Sequence, residues 1–112
     1  MGQLRILIAD DHPVVRILLR NILETVSEWK VCGEAENGSS AVALAGRLHP
    51  DIIVMDPVVP EVNGLEATRQ VRKFDQEARV ILTTLYEFPS FVDEARRAGA
   101  CAAFLRPSPA DI

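Results

Sequence analysis

Asp51-Ile52-Ile53-Val54-Met55-Asp56, residues 51–56, is the stretch on which the fold turns. Three successive β-branched residues and a methionine leave this segment no polar face. That is the pattern of a central strand covered on both sides, not of a strand with one face in water. Parallel sheets bury their strands in this way because the crossover helices pack on both faces. His49-Pro50 stops a helix before the strand, and Pro57 to Asn63 forms a loop after it.

Outward from this strand, short apolar runs alternate with helical periodicity. On the N-terminal side, Leu4 to Ala9 reads as the first strand. Pro13 opens a helix whose Val15, Leu18, Ile22 and Val26 fall on one face, and Trp29 to Ala35 is a second strand. Asn37-Gly38-Ser39 then turns and caps a helix with Ala41, Leu44, Ala45 and Leu48 as its apolar stripe. On the C-terminal side a helix is expected from Gly64 to about Phe74, a strand over Arg79 to Thr83, a helix from about Ser90 to Ala98 closed by Gly99, and a strand over Ala102 to Leu105. Ser108-Pro109 has the form of an N-cap followed by proline at the first helical position, so a fifth helix begins there. Alternating strands and helices of these lengths predict an α/β domain with a parallel sheet.

Composition narrows the function classes. The 112 residues include 12 basic and 16 acidic side chains, a net charge of -4, which gives this segment no general attraction to nucleic acid or to an anionic membrane. Ile6 to Ala9 is too short for the apolar core of an export signal and runs into Asp10-Asp11, so a cytoplasmic location is expected. No apolar run reaches membrane-spanning length. Cys32 and Cys101 lack metal-ligand spacing and are expected to be buried small hydrophobes.

An open parallel sheet binds its ligand beyond the carboxyl ends of the strands. The strand exits are Asp10-Asp11, Asp56, Thr83-Thr84 and Arg106. Taken singly, Asp11 reads as an acidic cap on the first helix, Asp56-Pro57 as a turn opening, Thr84 as a strand-end residue and Arg106 as a solvated rim charge. Convergence at successive exits favours a site. Clustered carboxylates repel one another and are relieved by a hard cation, and oxygen-only ligands favour Mg2+ or Mn2+ over zinc. Mg2+ brings phosphate oxygens with it, a hydroxyl and a cation suit a phosphoryl guest, and a carboxylate beside the metal can act as nucleophile. His12 follows the acidic pair, which invites a phosphohistidine or metal role, but it and His49 are read as residues of helix ends.

Ile6-Leu7-Ile8-Ala9-Asp10-Asp11-His12-Pro13, Asp51 to Asp56, Pro60-Glu61-Val62-Asn63-Gly64-Leu65-Glu66-Ala67 and Ala98-Gly99-Ala100 closely resemble the receiver domain of two-component response regulators. The Asp-Asp-His-Pro start is most similar to the NarL/FixJ subfamily. The resemblance runs over essentially the whole chain. It implies a flavodoxin-like (CheY-like) doubly wound sheet of five parallel strands in the order 2-1-3-4-5. It also implies that Asp56 accepts a phosphoryl group from a sensor histidine kinase, with Asp11 and Asp56 as direct Mg2+ ligands, Asp10 acting mostly through water and the Val58 backbone carbonyl as a further ligand. Thr84 would turn towards the phosphoryl group, with Thr83 as its competitor, and Arg106 stands where the family carries lysine.

Three residues depart from that pattern. Arg106 is planar and longer than lysine, Ala103 stands where a switch aromatic is usual, and Pro57 removes a backbone N–H beside Asp56. A receiver whose coupling is weakened or rerouted is one reading, and a degenerate receiver that works by protein contact irrespective of phosphorylation is its rival. A flavodoxin-type cofactor domain and a haloacid-dehalogenase-like phosphatase fit less well. Asp10-Asp11 would repel phosphate in the first, and Val58 interrupts the Asp-x-Asp of the second. The chain is expected to be a receiver cut at the start of its fifth helix. A C-terminal helix-turn-helix output domain would lie outside it, and it is expected to self-associate through apolar surface beside its first and fifth strands.

Overall fold

The computed structural model describes residues 2–84 and 89–105; of Thr84, Pro89, Ser90, Phe104 and Leu105 it describes the backbone alone. Among the described residues five strands, β1 (Leu4–Ala9), β2 (Trp29–Ala35), β3 (Ile52–Met55), β4 (Arg79–Thr84) and β5 (Ala102–Leu105), alternate with four helices, α1 (Pro13–Leu23), α2 (Gly38–Leu48), α3 (Gly64–Phe74) and α4 (Pro89–Ala98). All the strands pair in parallel, in the order β2-β1-β3-β4-β5 expected from the resemblance. Arg106 and the fifth-helix start at Ser108-Pro109 lie outside the described residues.

Period-two alternation divides the core between two faces of one sheet. Leu7, Ala9, Ile53, Met55, Val80 and Leu82 pack with Ala41 and Ala45 of α2, Ala67 and Val71 of α3 and Ala95 of α4. Ile6, Ile8 and Val54 face the other way, onto Val15 and Leu19 of α1. Small residues on α2 to α4 let three helices lie close to the sheet. Leu7 is fully buried in the middle of this layer. Leu7→Ala is expected to destabilise the domain by about 2–5 kcal/mol through lost burial and a residual cavity, read as the shift in a urea or thermal unfolding midpoint.

Local signals account for the helix boundaries. Asn37 and Asn63 cap α2 and α3, their Oδ1 atoms accepting from the N–H groups of Ser40 at 2.7 Å and Glu66 at 3.0 Å. His49 ends α2 in the left-handed conformation at φ 48°, and its carbonyl accepts from the Arg5 guanidinium at 3.2 Å. Gly99 follows α4 at φ 106°, where an added Cβ would meet Arg72 Cγ at 2.9 Å.

Three sequence expectations need correction. The buried stripe of α1 is Val15 and Leu19, with Leu23 packed against it, not the row through Leu18, Ile22 and Val26. Ile22 is 45% exposed and Val26 lies beyond the helix, because two apolar rows run along this segment and only contact with the sheet selects one. Cys101 is exposed and Cys32 only half-buried. Cys101 precedes β5 at the sheet's rim, while Cys32 is the residue skipped where Ile6 pairs with Val31 and Leu7 with Gly33, a bulge that takes it out of the strand's alternation. The N-cap of α1 is His12, without a side-chain cap bond, so Asp11 is not the capping acid.

Candidate functional site

The sheet's hydrogen bonding runs one residue past the ends of β1 and β3, and this sets the site. Asp10 N–H donates to the Ala35 carbonyl and Asp56 N–H to the Ala9 carbonyl, both at 3.0 Å. Two acidic residues at the exits of adjacent central strands are thereby held side by side. Both are buried, Asp10 to 1% and Asp56 to 3% exposure.

Each buried carboxylate is oriented by the backbone just after it. Asp10 Oδ1 accepts from His12 N–H and Asp56 Oδ1 from Val58 N–H, each at 2.9 Å, in Asx-type turns. Pro57 has no N–H to offer, so the turn after Asp56 relies on the Val58 donor. The loop then returns to α3 through Gly64, whose N–H donates to the Pro57 carbonyl at 2.9 Å. Gly64 is required there: an added Cβ would lie 2.5 Å from Pro57 Cα and 2.8 Å from the Asp56 carbonyl oxygen. Gly38 N–H, at the start of α2, donates to the Pro60 carbonyl at 3.1 Å, tying the same loop to a second helix.

Asp11 sits at the mouth of the site with its side chain 36% exposed. One ligand atom each from Asp10, Asp11, His12 and Asp56 lies within 4.8 Å of all the others. Three carboxylates this close repel one another, and a divalent cation is the guest that relieves them. The donor set fits Mg2+, which takes oxygen ligands from one or two carboxylates and completes its shell with water and phosphate. Arg16 is engaged at the rim, donating to the Asp10 carbonyl at 2.6 Å and to Glu34 at 3.1 Å.

The structure therefore brings together Asp10, Asp11 and Asp56. Val58 lies in the same loop with its side chain 78% exposed. Thr83 is buried and its hydroxyl donates to the Met55 carbonyl at 3.5 Å, whereas for Thr84 the backbone pairs opposite Leu105 and the side chain is outside the described residues, as is Arg106. Sequence reasoning weighed a metal role for His12 and preferred a helix-start one; in the structure its imidazole belongs to the cluster. Its position between two acids and a proline was the available signal.

A family model described as the response regulator receiver domain matches residues 6–111. The chain belongs to that family. Among relatives of this receiver domain, the chemotaxis protein CheY of Thermotoga maritima is 38% identical over 96% of the chain and 88% of its own length. The transcriptional regulatory protein YdfI of Bacillus subtilis is 48% identical over 74% of the chain. The chain matches only 39% of the length of that regulator. The solved signal receiver domain of the response regulator NarL from Mycobacterium tuberculosis superposes with a TM-score of 0.91 at 29% identity, covering 96% of this chain and 87% of the other. Receiver domains act as phosphoacceptors, bind Mg2+ at an acidic pocket and pair with histidine kinases. No helix among the described residues is long and apolar enough to cross a membrane.

Proposed function

We propose that Asp56 is the phosphoacceptor of this receiver and that Asp10, Asp11, Asp56 and the Val58 carbonyl form its Mg2+ pocket. The convergence of three carboxylates within 4.8 Å at the ends of β1 and β3 carries this reading. An Asp56 carboxylate oxygen attacks the phosphorus of a kinase phosphohistidine. The new O–P bond replaces the P–N bond, and the departing imidazole keeps the bonding pair. A Mg2+ held by Asp10, Asp11, Asp56 and the Val58 carbonyl would supply positive charge that neutralises the transferring phosphoryl group. Val58 N–H holds the Asp56 carboxylate in one orientation through the step, and the tie from Gly38 to Pro60 holds the loop.

Thr84 is proposed to donate its hydroxyl to a phosphoryl oxygen and Arg106 to pair with the acyl phosphate in place of lysine. A guanidinium reaches farther than lysine and is planar, and Ala103 offers no aromatic switch, so coupling of phosphorylation to the β4–β5 edge is proposed to be weakened or rerouted. In the whole protein the receiver is proposed to govern an output domain of helix-turn-helix type and, by likeness to the transcriptional regulatory protein YdfI, transcription. The domain alters only its own Asp56 and turns over no separate substrate.

Incubation with a small acyl phosphate donor, with and without Mg2+, followed by intact mass and peptide mapping, tests the reading. One phosphoryl group on the peptide containing Asp56, present only with Mg2+, is the expected result. Absence of both an adduct and Mg2+ binding would refute it.

A further inference from the structure

We propose that His12 is a fourth ligand in the acidic pocket and that its imidazole gives this receiver a preference for first-row transition cations such as Co2+, Ni2+ or Zn2+ over Mg2+. The inference rests on the metal-dependent reading above and adds to it a residue that reading does not use. His12 is held at three points of its backbone. Its N–H donates to Asp10 Oδ1 at 2.9 Å, its carbonyl accepts from Arg16 N–H at 3.1 Å, and Pro13 confines it to the extended region, where it lies at φ -96° and ψ 113°.

An N-cap residue normally spends its side chain on the first turn of its helix. His12 makes no such cap bond. Its ring turns back over the carboxylates instead, with Nδ1 2.9 Å from Asp11 Oδ1 and 3.2 Å from Asp10 Oδ1. The imidazole is 58% exposed, so it stands at the solvent side of a cluster whose floor is the buried Asp10 and Asp56. A cation entering between the carboxylates meets a nitrogen donor within the same 4.8 Å group.

A nitrogen ligand changes which cation the site retains. Mg2+ is hard, prefers oxygen and gives up its water reluctantly, so an imidazole adds little to its binding. Co2+, Ni2+ and Zn2+ bind imidazole well and gain from the exchange of a water for a nitrogen. The ratio of affinities, rather than the affinity for any one ion, is therefore the property assigned to His12.

The test is calorimetric titration of Mg2+ and Co2+ into the 112-residue chain and its His12→Ala variant, with the visible absorption of bound Co2+ recorded for each. The variant gives up the His12 contacts with Asp10 and Asp11, so a thermal melt of each protein is recorded and the affinities are compared at a temperature where both are folded. Mg2+ affinity should stay within about twofold, since Mg2+ gains little from nitrogen. Co2+ affinity should fall by about tenfold or more, the lower end of losses seen when even an outer support of a metal ligand is removed. The Co2+ visible bands should move to lower energy as an oxygen donor replaces nitrogen. Equal loss for both ions, or an unchanged Co2+ affinity and spectrum, would overturn the proposal. Intense near-ultraviolet thiolate bands that survive His12→Ala would also overturn it, since they would place the Co2+ on Cys32 or Cys101. A wild type that binds neither ion would refute the underlying Mg2+ pocket as well, whereas normal Mg2+ binding with no His12 effect would refute this inference alone.

Discussion

Asp56→Asn is expected to abolish Mg2+-dependent phosphoryl uptake completely while leaving the domain folded. The amide is close in size to the carboxylate, and its oxygen can still accept from Val58 N–H, so the turn at the end of β3 survives. The amide cannot act as the nucleophile that forms an acyl phosphate. Removing one of three charges that share 4.8 Å also relieves repulsion, so the unfolding midpoint without divalent ions should equal or exceed that of the wild type. Intact mass after donor treatment and a thermal melt on the same preparation read both effects. A residual adduct would move the acceptor to another carboxylate. A partner bound equally by wild type and Asp56→Asn would favour the rival receiver that acts without phosphorylation.

Gly38→Ala is expected to lower stability by about 3 kcal/mol, the upper part of the range for forcing extra volume into a packed site. In a domain of this size that is a fall of roughly 10–20 °C in Tm. The new Cβ would lie 1.5 Å from the Val62 carbonyl oxygen and 2.6 Å from its carbon, both backbone atoms with no rotamer to yield. Either α2 or the loop that follows Asp56 must retreat, and the bond from Gly38 N–H to the Pro60 carbonyl is lost with it. Mg2+ affinity should weaken in parallel, because Val58 lies in that loop. Gly46→Ala provides the opposite sign within the same helix. Nothing lies within 4 Å of its added Cβ, so a gain of about 0.5–1 kcal/mol is expected from helix propensity and reduced freedom of the unfolded chain. Comparable melts for the two variants would show that α2 and the loop are not in contact in solution.

The two glycines sit in the same helix, one in its capping turn and one in its interior, and their immediate sequence does not show which Cβ position is crowded. The contact that decides it comes from Val62, on a loop reached only after another strand. Around His12 the ring's contacts with Asp10 and Asp11 are local, and only Asp56 reaches the same cluster from a distant strand.

What the sequence determined by itself are the properties carried by local period and by residues with restricted backbones. The β-branched run Ile52-Ile53-Val54 marked a buried central strand; Asn37, Asn63, Pro13 and Gly99 marked helix ends; and the acids at strand exits marked Asp10, Asp11 and Asp56. These signals act over a few residues, so they are readable before the chain is folded. Tertiary structure alone decided which apolar row of α1 is buried, where the β1–β2 register skips Cys32, and that Asp56 comes within 4.8 Å of Asp10, Asp11 and His12. The physical reason is common to all three. Each depends on which surface meets a segment distant in sequence, and burial, register and ligand distance exist only once β1, β2 and β3 lie side by side.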